Sequence, residues 1–168
     1  MTDNYIQLKK SDVLHLNIKT SDGKETGEYL EFDLEDIELP FIYQEMLEKL
    51  KKNRQYLKNQ FTIIDKKQDV KGKKLLSKNE EDKLKALNEF FKNQVEAFNM
   101  FLGENGVEKL LNGRKIGWTS LAEVEEIVVK QISPYLDLSM NNVTKKIKEK
   151  YNIDSKNGEV LKWNTHNL

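Results

Sequence analysis

Cysteine is absent from the 168 residues, so disulfides, thiolate nucleophiles and cysteine-ligated metal sites are excluded. Histidine occurs only twice, and neither His15 nor His166 has partners at a spacing that would fix it for catalysis or metal binding. The sequence contains no phosphate-binding loop, dinucleotide-binding fingerprint, nucleophile elbow or zinc protease motif. We therefore expect a protein that is not an enzyme and that carries no cofactor and no metal.

Long apolar runs are also missing. None approaches the ~18 residues that a membrane span requires, and the residues after Met1 lack the basic and then apolar order of a signal peptide. Hydrophobic residues nevertheless make up 38% of the chain and occur in periodic blocks. We expect a folded, soluble, cytosolic protein with no membrane partner.

The net charge is zero, but the charges are unevenly distributed. Basic residues are scarce in one segment, and acidic residues are outnumbered in the segment that follows it. Residues 22–48 are acidic with Lys24 as their only basic side chain, whereas residues 49–85 are rich in lysine and contain one arginine, Arg54. Nucleic acid is an unfavoured partner for the basic segment, because stacking aromatics and arginine forks are few there. Two interpretations stay open: the segments complement each other between protomers, or the lysines form a solvated loop.

Two short segments near the N-terminus show the pattern of a β-hairpin. Apolar and polar residues alternate over residues 13–19 and, less cleanly, over residues 28–34. Gly23 and Gly27 supply turn chemistry between them, because glycine tolerates positive φ. An isolated hairpin is marginally stable, so we expect its apolar face to pack on helices.

Helical periodicity dominates the rest of the chain. Pro40 suits the first turn of a helix over about 40–60, and the loss of periodicity beyond it predicts a mobile basic loop at about 65–77. Ser77-Lys78-Asn79-Glu80 is a capping-box sequence. The helix that it begins carries apolar residues at steps of three and four and ends at Gly103, predicted to be a left-handed residue after the helix.

The C-terminal half is predicted to contain further helices. A short helical turn covers Val107 to Leu111, and Thr119 or Ser120 is expected to cap the next helix. Pro134 is expected to disrupt or kink the end of that helix. A final basic helix is predicted from Met140 to Tyr151.

These elements predict an α+β fold that is mainly α, with the N-terminal β-hairpin packed on a bundle of about four helices. Residues 1–151 are expected to form a single domain, and residues 152–168 a flexible C-terminal tail.

Residues 97–114 read AFNMFLGENGVEKLLNGR. This segment resembles the tail assembly chaperones of long-tailed phages and of tail-like elements from low-GC Gram-positive hosts. In that family a helix ending in F-x-x-x-[FL]-G-E-G precedes a short x-E-K-[IL]-[FL]-x-x-R turn and another helix. The matching positions are Phe98, Leu102, Gly103, Glu104, Gly106, Glu108, Lys109, Leu110, Leu111 and Arg114.

The resemblance covers roughly residues 13–135, because the preceding hairpin, helix and charged connector are also similar. Three features depart from the family pattern. Asn105 is an inserted residue, the basic stretch Lys66 to Lys78 is an addition, and so is the helix after Pro134. These departures bear on the subfamily.

The resemblance implies a function. Such a protein binds the long helical tape measure protein in the cytoplasm of the bacterial host, keeps it soluble, and helps to recruit the tail tube protein. It is expected to self-associate as a homo-oligomer and to leave before the particle is complete. Two alternatives stay open: a structural or connector protein of a phage or tail-like particle, and a nucleic-acid-binding regulator that uses the basic segment.

A chaperone of this kind needs an apolar groove for a helix of its client. The residues that we expect to line it are Phe91, Phe98, Phe101, Leu110, Leu111 and Trp118. Aromatic residues at helical spacing are more often core than binding surface. Trp118 follows two glycines in a polar connector, so it is either an exposed contact anchor or a cap on the core.

Overall fold

The computed structural model describes residues 12–151, apart from the side chain of Ser139. Its elements are the strands β1 (Val13–Lys19) and β2 (Glu25–Asp33) and the helices α1 (Leu39–Asp65), α2 (Lys78–Leu102), α3 (Gly106–Leu111), α4 (Trp118–Ile127) and α5 (Ser133–Tyr151). A π-helical turn, Val128–Ile132, joins α4 to α5. The predicted α+β, mainly helical fold is confirmed. The predicted tail, residues 152–168, lies outside the described residues.

The hairpin forms as the alternating pattern predicts. β1 and β2 pair antiparallel, from Val13 opposite Asp33 to Lys19 opposite Glu25. β2 begins earlier than expected, and Gly27 lies inside it at an irregularity in the register rather than in the turn. Its φ of 80° is one that glycine adopts without a steric penalty.

α1 continues to Asp65, beyond the predicted end near residue 60. Ile64 is buried, and its carbonyl accepts a hydrogen bond of 3.1 Å from the Asn79 side chain. Packing on α2 therefore maintains the last turn. A local signal was also present, because Phe61 and Ile64 follow Leu57 at steps of four and three. A loop of residues 66–77 follows, where the sequence predicted one.

α1 and α2 form an antiparallel pair. The Asn53 side chain donates a 2.9 Å hydrogen bond to the Phe90 carbonyl, and the Tyr56 hydroxyl lies 3.0 Å from the Glu89 carboxylate. The main hydrophobic cluster contains no buried residue between Leu50 and Ala97. Residues 56–89, here called the arm, therefore extend beyond the main core and pack chiefly on each other.

The capping box at the start of α2 is confirmed. The Ser77 hydroxyl accepts from the Glu80 backbone N–H at 3.2 Å, and the Glu80 carboxylate accepts from the Ser77 backbone N–H at 2.6 Å. That second bond holds the pKa of Glu80 below its ordinary value. The hydrogen bond therefore stabilises the fold fully at pH values above the pKa that Glu80 has in the unfolded chain. This stabilisation is lost as pH falls through the lower pKa that Glu80 has in the folded chain.

Gly103 is the residue at which α2 ends, and its backbone has a φ of 90° and a ψ of −178°. The positive φ agrees with the prediction. The predicted left-handed helical conformation is wrong, because the ψ is that of an extended backbone, in the mirror-image region that glycine alone visits readily. The left-handed residue is Asn105, at φ 55° and ψ 28°, immediately before α3. The Val107 N–H then donates to Asn99 Oδ1 at 2.8 Å and fixes α3 against α2.

Two predictions for the C-terminal half are wrong. α4 begins at Trp118, and Ser120 is its third residue, with its hydroxyl accepting from the Gly117 N–H at 2.9 Å. The disruption that Pro134 was expected to cause is present, because α4 ends at Ile127 and a π-helical turn, Val128–Ile132, separates it from α5. The start of the last helix was predicted too late. The Ser133 N–H bonds to the Val128 carbonyl, five residues back, and this wider turn lets the helix continue past a residue that has no N–H. The helix predicted from Met140 is therefore the second half of α5.

The core lies where the hairpin, the first half of α1, the last half of α2 and α4 meet. Phe101 is central to it. Its ring lies 5.2 Å from the ring of Phe32 and 5.1 Å from that of Tyr43, between centroids. Such aromatic contacts add to the free energy gained by burial.

Candidate partner-binding site

The structure separates the six candidate residues instead of placing them along one groove. Phe98, Phe101 and Leu111 are buried, with exposed fractions of 1%, 4% and 2%. In this conformation they present almost no surface to a partner. Phe91 and Leu110 are half-buried against the core, and Trp118 alone is largely exposed, at 66%.

Trp118 is exposed, as one of the two interpretations of its sequence context expected. It is the first residue of α4, and one face of its indole stacks on Phe90 of α2, with 6.3 Å between ring centroids and 25° between planes. The remaining surface of the indole faces outward. Exposed tryptophan side chains are frequent among the residues that contribute most to protein interfaces.

A small pocket of about 50 Å³ lies beside Trp118, at the junction of α1, α2 and α4. Its lining residues are Arg54, Phe90, Gln94, Phe98, Trp118, Leu121, Ala122 and Glu125. Aromatic and aliphatic side chains provide most of the surface. Such a pocket accepts part of an apolar side chain.

Gln94 gives this pocket its unusual feature. The side chain is only 5% exposed, and its Oε1 atom has no hydrogen-bond partner. A buried polar atom without a partner costs about 1–3 kcal/mol. The oxygen exposes less than 1 Å² to solvent, so a donor from a partner reaches it only when the Gln94 side chain turns toward the pocket.

Two arginine–carboxylate pairs border the region. Arg54 of α1 pairs with Glu125 of α4 at the pocket itself. Arg114 lies 2.7 Å from Glu123, and this hydrogen bond holds the pKa of the Glu123 carboxyl below its ordinary value. The pairs hold α4 against α1 and against the connector that precedes it.

A second, larger concavity of about 510 Å³ lies between the hairpin and the C-terminal helices. Leu110 and Leu111 line it, together with Leu16 and Ile18 of β1. The strand residues are only half-buried because the helices do not cover the whole apolar face of the hairpin. Arg114 and Glu123 contribute polar groups to the same concavity.

Sequence reasoning missed Gln94, Arg54 and Leu121 as parts of the Trp118 pocket. A signal for Gln94 was present, because it stands four residues after Phe90 and four before Phe98, on an otherwise apolar stripe. No comparable signal existed for Arg54. Its pairing with Glu125 joins residues 71 positions apart.

The described part of the chain offers no group of three or more His, Asp or Glu side chains that could hold a metal ion. His15 lies 3.1 Å from Glu31 and stacks on Tyr29 at the surface of the hairpin. None of the helices within residues 12–151 is long and apolar enough to cross a bilayer. Comparison of the chain with protein-family models, curated proteins and solved structures found no match.

Proposed function

We propose that this chain is an assembly chaperone of the phage-tail type, which binds a helical segment of a tape measure protein in the host cytoplasm and performs no catalysis. Two observations support the proposal. The first is the resemblance of residues 97–114 to that family. The second, which carries most of the argument, is the exposed Trp118 beside a pocket with an unpaired buried acceptor at Gln94.

The proposed contact is a helix laid across α2 and α4. One apolar side chain of the client helix enters the pocket beside Trp118, and the Gln94 side chain turns so that its Oε1 accepts a hydrogen bond from a neighbouring donor of the client. The face of the indole that is not stacked on Phe90 packs on the client helix. Recognition of this type uses an amphipathic helix with apolar anchors one turn apart, a pattern that long helical proteins repeat along their length.

Trp118→Ala is expected to weaken client binding by about tenfold or more, because it removes the largest exposed apolar surface at the pocket. The melting temperature should change by less than about 2 °C, since most of the side chain is already in solvent. The amount of client retained on the immobilised, tagged chain measures binding, and thermal unfolding measures the melting temperature. Ile116→Ala, which alters a 42%-exposed residue two positions earlier, is the matched control. A variant that melts several degrees lower would make Trp118 a core residue and defeat the idea.

Gln94→Met has effects of opposite sign on stability and binding. The free energy of unfolding is expected to rise by about 1 kcal/mol, because a side chain of similar size replaces an unpaired buried amide oxygen. Client binding is expected to fall, because the acceptor for the client's donor is gone. Urea denaturation measures the free energy of unfolding, and the same retention assay measures client binding. A variant that binds as well as the original chain would show that the oxygen has no part in recognition.

The decisive experiment is co-expression of the tagged chain with its neighbouring genes, followed by mass spectrometry of the retained proteins. Recovery of a very long, coiled-coil-rich protein, with this chain absent from finished particles, supports the chaperone. Recovery of this chain inside finished particles supports the structural or connector alternative instead. Recovery of nucleic acid alone would move the function to the lysine-rich arm.

A further inference from the structure

The acidic and basic segments of the chain lie at opposite ends of α1. One end, here called the acidic end, comprises β2 and the first turns of α1. Its acidic residues are Glu25, Glu28, Glu31, Asp33, Glu35, Asp36, Glu38, Glu45 and Glu48, and no lysine or arginine occurs from 25 to 48. The other end, here called the basic tip, is the end of the arm. Its lysines are Lys66, Lys67, Lys71, Lys73, Lys74 and Lys78. The carboxylates Asp65, Asp69, Glu80, Glu81 and Asp82 lie in or beside it, and three of them pair with Lys83, Lys74 and Lys78.

The two ends do not neutralise each other within one chain. α1 contains 27 residues, which at 1.5 Å per residue separates its ends by about 40 Å. That distance is several times the Debye length of about 8 Å at physiological salt. No ion pair among the described residues joins the two ends; the pairs at each end form within it, such as Lys49 with Glu45 and Lys78 with Asp82.

Most of the charge at the two ends has no partner. Glu35, Glu38 and Glu48 are exposed and form no ion pair within residues 12–151. The same holds for three lysines of the basic tip, Lys67, Lys71 and Lys73, among the residues that the structure describes. Lys67 and Lys71 act on the nearby carboxylates Asp82 and Glu80, which offset part of the positive charge of the basic tip. The exposed lysines that remain are complementary in charge to the acidic end.

Each end also exposes large apolar side chains. Ile37 and Phe41 at the acidic end are 63% and 65% exposed, and Val70 and Leu75 at the basic tip are 67% and 90% exposed. Exposed apolar residues within a charged surface are typical of a contact region. In such a contact, the apolar side chains provide surface that becomes buried, and the charges determine the orientation of the two partners.

We propose that these ends bind each other between two copies of this chain, with α1 of one copy running antiparallel to α1 of the other. The acidic end of each copy then lies against the basic tip of its partner, so the contact occurs twice. The two-fold arrangement uses both ends of both copies and closes. A parallel head-to-tail contact would leave one acidic end and one basic tip open and would continue into a filament.

Light scattering coupled to size exclusion tests the pairing. The full chain should have a mass near twice its 19.7 kDa at low salt. It should dissociate as sodium chloride rises from about 50 mM to about 500 mM, because screening removes the attraction between exposed charges. A monomer at every concentration and salt would overturn the proposal, as would a series of ever larger species.

Charge exchange makes the test specific. One variant carries Glu35→Lys, Glu38→Lys and Glu48→Lys, and another carries Lys67→Glu, Lys71→Glu and Lys73→Glu. The second variant alone should be monomeric, because its tip becomes acidic and then meets an acidic end. The first variant alone should dissociate at lower salt than the original chain, because its acidic end keeps six of its nine carboxylates and faces an unchanged basic tip. An equimolar mixture of the two should form a heterodimer, and circular dichroism should show that both are folded.

The matched control reverses three exposed lysines of α5 through Lys145→Glu, Lys146→Glu and Lys150→Glu, and should remain dimeric. Failure of the mixture to dimerise would overturn the pairing even if the second variant alone were monomeric. If nucleic acid copurified with the chain and the chain were monomeric once freed of it, the basic tip would bind phosphate rather than a second copy. Client binding is measured in a separate assay, so failure of the dimer proposal would not count against the proposed client site at Trp118.

Discussion

Gly106→Ala is expected to lower the free energy of unfolding by about 3 kcal/mol. A β-carbon at this position would lie far inside the contact radius of the Leu102 β-carbon and 3.5 Å from Asn99 Oδ1. Leu102 is 4% exposed and part of the core, so its β-carbon cannot move without displacing α2. α3 must therefore shift away, and the 2.8 Å hydrogen bond from the Val107 N–H to Asn99 weakens with it.

Gly117→Ala is the matched control for this substitution. Neither glycine has a positive φ, and a β-carbon on Gly117 meets nothing within 4 Å. Its effect should stay within about 0.5 kcal/mol. Urea denaturation of the two variants at equal slope measures the difference. Equal stabilities would show that α3 does not pack against α2 as closely as the structure has it.

The second large effect is expected for Phe98→Ala, which should cost about 3–5 kcal/mol of stability. Phe98 is 1% exposed and is among the largest fully buried side chains. It also forms part of the Trp118 pocket, so its removal leaves a cavity that opens toward the proposed client. The substitution therefore tests the core and changes the binding site at the same time.

Phe91→Ala separates these roles, because Phe91 belongs to the same helix and residue type but is half-buried. It should cost less, about 1–2 kcal/mol, since the lost burial is smaller. Denaturation midpoints at an unchanged slope give both values. If Phe98→Ala were as mild as Phe91→Ala, Phe98 would be a surface residue and a direct candidate for client contact after all.

Much of the fold could be predicted because its signals are local. Alternation at Leu14, Leu16 and Ile18 predicts a strand with one inner face, and the Ser77-to-Glu80 spacing fixes the start of α2 through two hydrogen bonds within four residues. The errors concern the ends of elements rather than their types. Burial of Ile64 against α2 extends α1.

The proposed site was predicted only in part. Trp118 was singled out because an aromatic residue in a polar connector is unusual, and its exposure bears this out. Phe101 was included because apolar helical spacing shows which residues share a face but does not show what covers that face. The pocket needs α1, α2 and α4 together, and its members Arg54, Gln94 and Leu121 come from three separate segments.

The sequence by itself determined the element types, the helix start at Ser77, the absence of cysteine chemistry and the separation of charge into an acidic and a basic segment. Only the tertiary structure decided which apolar residues are core, that Gln94 is buried without a partner for its oxygen, and that the two charged segments are about 40 Å apart. The physical reason is range. Capping, turn formation and alternation act within a few residues, whereas burial and charge pairing depend on which distant segments the packing brings together.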